Sequence, residues 1–121
     1  MRLFAIRGAT AVAANEAVLI RAATAELVAE LMQRNSITVD DFVSCIFTVT
    51  PDLDAEFPAA AARQSGLDRV PLLCACEIPV PGALPKVVRI LAHYYAPDAH
   101  TPEHVYLGDA QQLRPDLTSA Q

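Results

Sequence analysis

Eight of the nine basic residues in this chain are arginine, and three of them, Arg7, Arg89 and Arg114, stand beside or inside apolar segments instead of on solvated helical faces. A guanidinium keeps its charge when buried and presents a planar fork of N–H donors that matches a carboxylate. Arginines in such positions point to recognition of a small carboxylate. The plainer account, in which each pairs with one of the fourteen acidic residues, stays open. Glu77 ends the apolar run Val70–Cys76 ahead of a Pro-rich loop. There a carboxylate either reaches into a cleft as acceptor or base, or closes the strand in an ion pair. Cys74 and Cys76, with His100 and His104, bring zinc to mind, but the cysteines are one residue apart, not the two to four of a zinc knuckle. The expectation is no metal, with both cysteines as small buried hydrophobes on one sheet face. Phosphate loops, nucleophile elbows and metalloprotease helix motifs are all missing, so covalent catalysis and nucleotide chemistry lack candidates.

These residues need a scaffold, and 121 residues suffice for one domain, taken as residues 1–121 with a short mobile tail from about 115. The chain is 53% hydrophobic and 19% charged, which excludes a solvating disordered chain and leaves more apolar surface than a small monomer hides. Subunit interfaces are therefore expected. A net charge of −5 argues against nucleic acid and anionic membrane surfaces as partners. The longest run without a charged residue, Phe42 to Pro51, is about half of what a membrane helix needs. Four apolar residues between Arg2 and Arg7 are too few for a signal-peptide core, and an odd cysteine count does not make a disulfide framework. A soluble protein of the reducing cytoplasm is the expectation.

Leu3–Ile6 has the composition of a buried strand, with a bend toward a loop expected at Arg7–Thr10. Asn15 is a suitable N-cap for a helix to about Arg34, with Ile20, Ala23, Leu27 and Leu31 along one stripe. Thr38–Asp41 resembles a capped turn, and the β-branched, aromatic run Val43–Thr50 predicts a central strand. Pro58 suits the first position of a short helix over Ala59–Gln64 that stops near Gly66. Further strands are expected at Val70–Cys76, at Val87–Tyr95 with Arg89 inside, and at His104–Leu107, where Gly108-Asp109 suggests a hairpin or tight bend. The order β, α, β, short α, β, β, β predicts an α+β fold: a mixed β-sheet with helices on one face, and a bare face that wants a partner.

Several blocks in order along the chain resemble one family. They are Ile6-Arg7-Gly8-Ala9-Thr10, Thr50-Pro51-Asp52-Leu53, Phe57-Pro58-Ala59, Arg63, Val70-Pro71-Leu72, Cys74 to Glu77, Arg89, His104 to Leu107, and Leu113 to Leu117. Together they are similar to the AroH-class chorismate mutases. The resemblance implies a homotrimeric pseudo-α/β-barrel with active sites in clefts between subunits, and the intramolecular Claisen rearrangement of chorismate to prephenate, without a cofactor. It also implies roles. Arg89 would donate to the ether oxygen, Arg7 and Tyr106 would bind a substrate carboxylate, and Glu77 with the Cys74 region would engage the ring hydroxyl. Phe57, Ala59, Arg63, Leu72 and Leu73 would form a wall from the adjoining subunit, with Arg114 near the entrance. Ala60 belongs to the same wall and stands where certain relatives carry lysine, as Leu73 stands where some carry threonine. A pericyclic step needs neither nucleophile nor proton donor, which fits the missing motifs.

Two other classes use a similar scaffold: a trimeric module that only binds small carboxylates, and an enamine or imine deaminase of the same architecture. Neither requires the combined set Arg7, Glu77, Arg89 and Tyr106.

Overall fold

A computed structural model describes residues 1–113; Arg114 and the expected tail lie outside the described residues. The chain runs β1 (Arg2–Ala11), α1 (Ala17–Asn35), β2 (Phe42–Val49), α2 (Pro58–Gln64), β3 (Leu72–Cys76), β4 (Val87–Ala96) and β5 (Val105–Leu107), with short 3-10 turns before β2, after α2 and after β5. The five strands form one mixed sheet in the order β3-β2-β4-β1-β5. β4 is thus the middle strand. β2 is interior, as expected, one place from the edge.

Alternation sorts the side chains onto two faces. Phe4 and Ile6 of β1, Cys45 and Phe47 of β2, and Val88, Ile90, Ala92 and Tyr94 of β4 are buried together. Onto this layer α1 lays Ile20, Leu27 and Leu31 of the stripe anticipated from spacing, with Ala23 partly buried beside them and Val28 buried in addition, and α2 adds Ala59 and Ala62. The opposite face carries Leu3, Ala5 and Arg7 of β1 and Arg89, Leu91, His93 and Tyr95 of β4, all of them exposed or only half-buried. Among the described residues only its β5 end is covered, where the 3-10 turn Gly108–Leu113 folds Ala110 onto Ala9 and Val87.

Two local expectations are corrected and a third is narrowed. Arg7–Thr10 does not bend away: β1 pairs antiparallel with β4 without a break from Arg2↔Ala96 to Ala11↔Val87. Gly8 sits there because a Cβ would meet the Val105 carbonyl oxygen at 3.0 Å and Leu27 Cδ1 at 3.1 Å, so glycine serves close packing, not a turn. Asn15 does not cap α1; the cap residue is Glu16, without a side-chain bond. Asn15 instead accepts the backbone N–H groups of Asp54 and Ala55, each at 3.0 Å, and donates to Asp54 Oδ1 at 2.7 Å, tying the loop before α2 to the start of α1. Of the two alternatives at Gly108-Asp109, the hairpin is excluded because β5 pairs parallel with β1, and the tight bend holds, with Gly108 at φ 56° opening the 3-10 turn.

Thr50 and Asp52 set the start of β4. Asp52 accepts the Lys86 N–H at 3.1 and 3.0 Å while the Thr50 hydroxyl accepts the Val87 N–H at 3.0 Å. Lys86 is held at φ 53°, a left-handed conformation that turns the chain into the strand. This clasp fixes the β2–β4 register, and the register decides what Arg89 faces.

Candidate active site

Cross-strand pairing puts Ala75 of β3, Thr48 of β2, Arg89 of β4, Ala9 of β1 and Tyr106 of β5 in a single transverse row on the uncovered face. Arg7 is two residues from Ala9 on the same side, paired with Leu91. Glu77 follows β3 on that side too, its N–H donating to the Val49 carbonyl at 2.8 Å. Four residues from four separate segments, Arg7, Glu77, Arg89 and Tyr106, therefore share one face. Sequence spacing names them as candidates; only the strand order brings them together.

The charges are arranged loosely. Arg89 Nε lies 3.8 Å from Glu77 Oε2, too far for a hydrogen bond, with 45% of the Arg89 side chain and 27% of the Glu77 side chain exposed. Glu77 Oε2 instead accepts from the Thr48 hydroxyl. The guanidinium is thus offset by a nearby carboxylate without being wrapped by it. Tyr106, half-buried, packs against the small cluster of Ala9, Val87 and Ala110. The Arg7 N–H donates to His104 Nδ1 at 2.9 Å. Burial first, and the Arg7 charge second, push His104 below its ordinary value, so the ring stays neutral and keeps that acceptor.

A second group lies on the helix side of the edge strand β3. Phe57, 67% exposed, and Cys74 and Cys76 line a cavity of about 410 Å³ with Val49, Leu53 and Glu56. Glu56 orders this rim. It accepts the Phe57 N–H at 2.9 Å and the Arg21 guanidinium at 2.6 Å, which, with the Arg63 charge, hold its carboxyl below the usual range. Within α2, Ala59 is buried, Ala60 half-buried and Arg63 exposed. On β3, Leu72 pairs with Cys45 and points to the helices, whereas Leu73 pairs with Ile46 on the uncovered side and is 62% exposed. The cysteines do share a face, but they are not buried core: Cys74 is half-buried and Cys76 exposed. Cys45 is the buried one, its thiol pushed up to about 12 by desolvation. Strand alternation turns the Cys74 side chain away from Glu77, so one chain does not bring the two side groups together.

Residue type and spacing give no site role to Thr48, which reads as a strand residue, or to His104, which reads as the start of a strand and as a metal-ligand candidate. Alternation along β2 puts Thr48 opposite the buried Cys45 and Phe47, a polar residue on the bare face, and that was the available signal. Among the described residues no three His, Cys, Asp or Glu side chains gather as metal ligands.

The family model described as chorismate mutase type I matches residues 3–117. That span takes in every element above but the first residue of β1. The chain belongs to the type I chorismate mutase family. It is 49% identical to chorismate mutase AroH of Thermus thermophilus over 121 residues, covering 96% of this chain and 97% of that one. Chorismate mutase AroH of Bacillus subtilis strain 168 is 36% identical over 123 residues, covering 98% and 94% respectively. Among solved structures, a chorismate mutase from Clostridium thermocellum superposes with a TM-score of 0.86 at 46% identity, over 90% of this chain and 98% of that one. A mixed sheet with both α-helices on one face is thus the fold of a type I chorismate mutase, as the order of elements predicted.

Proposed function

We infer that this chain is an isomerase, a chorismate mutase that converts chorismate to prephenate by intramolecular Claisen rearrangement toward phenylalanine and tyrosine. The observation that carries the reading is the convergence of Arg7, Glu77, Arg89 and Tyr106 on one uncovered face of a chain of this family. In the reaction the ether C–O bond breaks while a C–C bond forms, and negative charge grows on the ether oxygen. The site must hold a flexible dianion in its compact conformer and stabilise that charge. Arg89, half-exposed and unclasped by Glu77, donates to the ether oxygen, the contact that strengthens most as the bond lengthens. Arg7 and Tyr106 hold a carboxylate, and Glu77 accepts the ring hydroxyl. Conformer selection and one desolvated, charge-directed hydrogen bond together supply ~10⁶-fold acceleration, about 8 kcal/mol.

The partner is a second and third copy of the same chain. Leu3, Leu73 and Tyr95 are exposed on the uncovered face, apolar surface that contact between copies would remove from water. In a homotrimeric pseudo-barrel, the Phe57 rim of one copy, with Ala59, Ala60, Arg63, Leu72, Leu73 and Cys74, walls the arginine face of the next. Apart from Leu73, which lies on the arginine side, the two groups lie on opposite sides of β3 in one chain, which supports a site shared between chains. Arg114 near the entrance belongs to the same proposal. A family match over residues 3–117 supports a single domain, and three free cysteines fit a reducing cytoplasm.

The deciding experiment adds purified protein to chorismate and follows loss of its diene absorbance, with prephenate identified as product. No conversion, under conditions where sedimentation shows a trimer, overturns the reading.

A further inference from the structure

Glu77 and Arg89 are opposite charges on one face, and their closest atoms stop at 3.8 Å. Attraction at that distance draws a carboxylate and a guanidinium into a two-pronged pair at hydrogen-bond length. Such a pair would occupy N–H groups that the proposed reaction needs. Between partly exposed groups that closure is weakly driven, so one anchoring hydrogen bond suffices to hold the carboxylate back, and the register identifies it. Thr48 is the direct cross-strand partner of Arg89 on β4 and of Ala75 on β3, so it stands between the strand of the guanidinium and the strand that leads to Glu77. Its hydroxyl donates to Glu77 Oε2, the same oxygen that faces Arg89 Nε. The Glu77 backbone is fixed by its bond to the Val49 carbonyl, so the position of the carboxylate depends on the side-chain anchor. A β-branched residue in a strand has restricted χ1, which gives the Thr48 hydroxyl a defined direction.

We propose that Thr48 is a positioning residue for the rearrangement: its hydroxyl moors the Glu77 carboxylate short of the Arg89 guanidinium and so keeps the guanidinium's N–H groups available to the ether oxygen. The inference rests on the mutase reading for its kinetic consequence, but not for its geometry. Thr48 touches no reacting atom; it acts through Glu77.

The kinetic test compares Thr48→Val, which keeps the shape and removes the hydroxyl, with Thr48→Ser, which keeps the hydroxyl. Hydrogen bonds to charged groups set the scale: Thr48→Val is expected to lose at least ~10-fold in kcat with KM changed by less than about 3-fold, and Thr48→Ser to recover most of that loss. In a Glu77→Ala background, Thr48→Val should change kcat by less than about 2-fold, because its target is gone. Equal losses for the serine and valine variants, or the same loss with and without Glu77, overturn the proposal. A crystal structure of Thr48→Val tests the geometry without turnover. Glu77 closed onto Arg89 at hydrogen-bond distance supports it, and an unchanged separation overturns it. If the wild type fails to convert chorismate, the mutase reading fails, and the crystal structure still decides whether Thr48 sets the spacing.

Discussion

The two faces of the sheet are built from the same strands and obey different rules. On the helix side, Phe47, Ile6, Leu27 and Val88 are fully buried and satisfied within one chain. The uncovered side mixes Leu3, Leu73 and Tyr95 with Arg7, Glu77 and Arg89, leaving both apolar area and charge incompletely matched. One face stabilises the chain; the other is the surface that the proposed ligand and neighbours would complete. Changes on the first should therefore be felt in stability, and changes on the second in turnover.

The largest expected effect is Phe47→Ala on the helix face, costing about 3–5 kcal/mol of stability by denaturant titration while kcat per folded site stays unchanged. A parallel collapse of kcat would break the division between faces. Next is Arg89→Ala on the uncovered face, with kcat lowered at least ~10²-fold and an unshifted melting temperature. Arg89→Lys should also be slow, since an ammonium lacks the planar fork. Near-normal turnover in the alanine variant would remove Arg89 from its role. Gly8→Ala sharpens the comparison because Gly8, on the helix face, abuts β5, which carries Tyr106 on the other: an added Cβ would meet the Val105 carbonyl and the side chains of Leu27 and Ile90. Overpacking of this kind costs about 1–3 kcal/mol, and if β5 shifts, Tyr106 shifts with it, so KM should rise as stability falls. Stability loss with KM untouched would show that the faces are insulated at that point.

The smallest effect is a pH dependence. His104 has a native value below 6.5 because of burial and then Arg7. As pH falls below 6.5 the unfolded chain takes up the proton first, so the contribution is fully present above 6.5 and is lost as pH falls through the depressed native value. Protonation also converts Nδ1 from acceptor to donor and breaks its bond to the Arg7 N–H. Melting temperatures at pH 7.5 and 5.5 should fall further for the wild type than for His104→Asn, and equal drops would count against the assignment.

Much of the fold was legible because the signals of α1, β2 and β4, an apolar stripe in the first and β-branched or apolar runs in the others, lie within single segments. What was not legible depends on partners far away in sequence. Gly8 looked like a bend because the atoms that crowd it come from residues 27, 90 and 105. Asn15 fits the composition of a cap, yet its hydrogen bonds go to the loop at residues 54 and 55. Asn35, of a residue type common in turns, is buried as the last residue of α1, where it accepts the Glu103 N–H at 2.8 Å and donates to the Glu103 carbonyl at 3.0 Å. The candidate site followed the same pattern. Arg7, Glu77, Arg89 and Tyr106 were found from residue type and resemblance, whereas Thr48 emerged only from the register of β2 against both neighbours.

The placement of Phe57 and Arg89 on opposite sides of the sheet has a genetic consequence. In the assembly proposed above, each chain gives its left hand to one neighbour and its right hand to another. A copy damaged in one hand still lends the other, and two differently disabled copies in the same cell can between them make one sound catalyst.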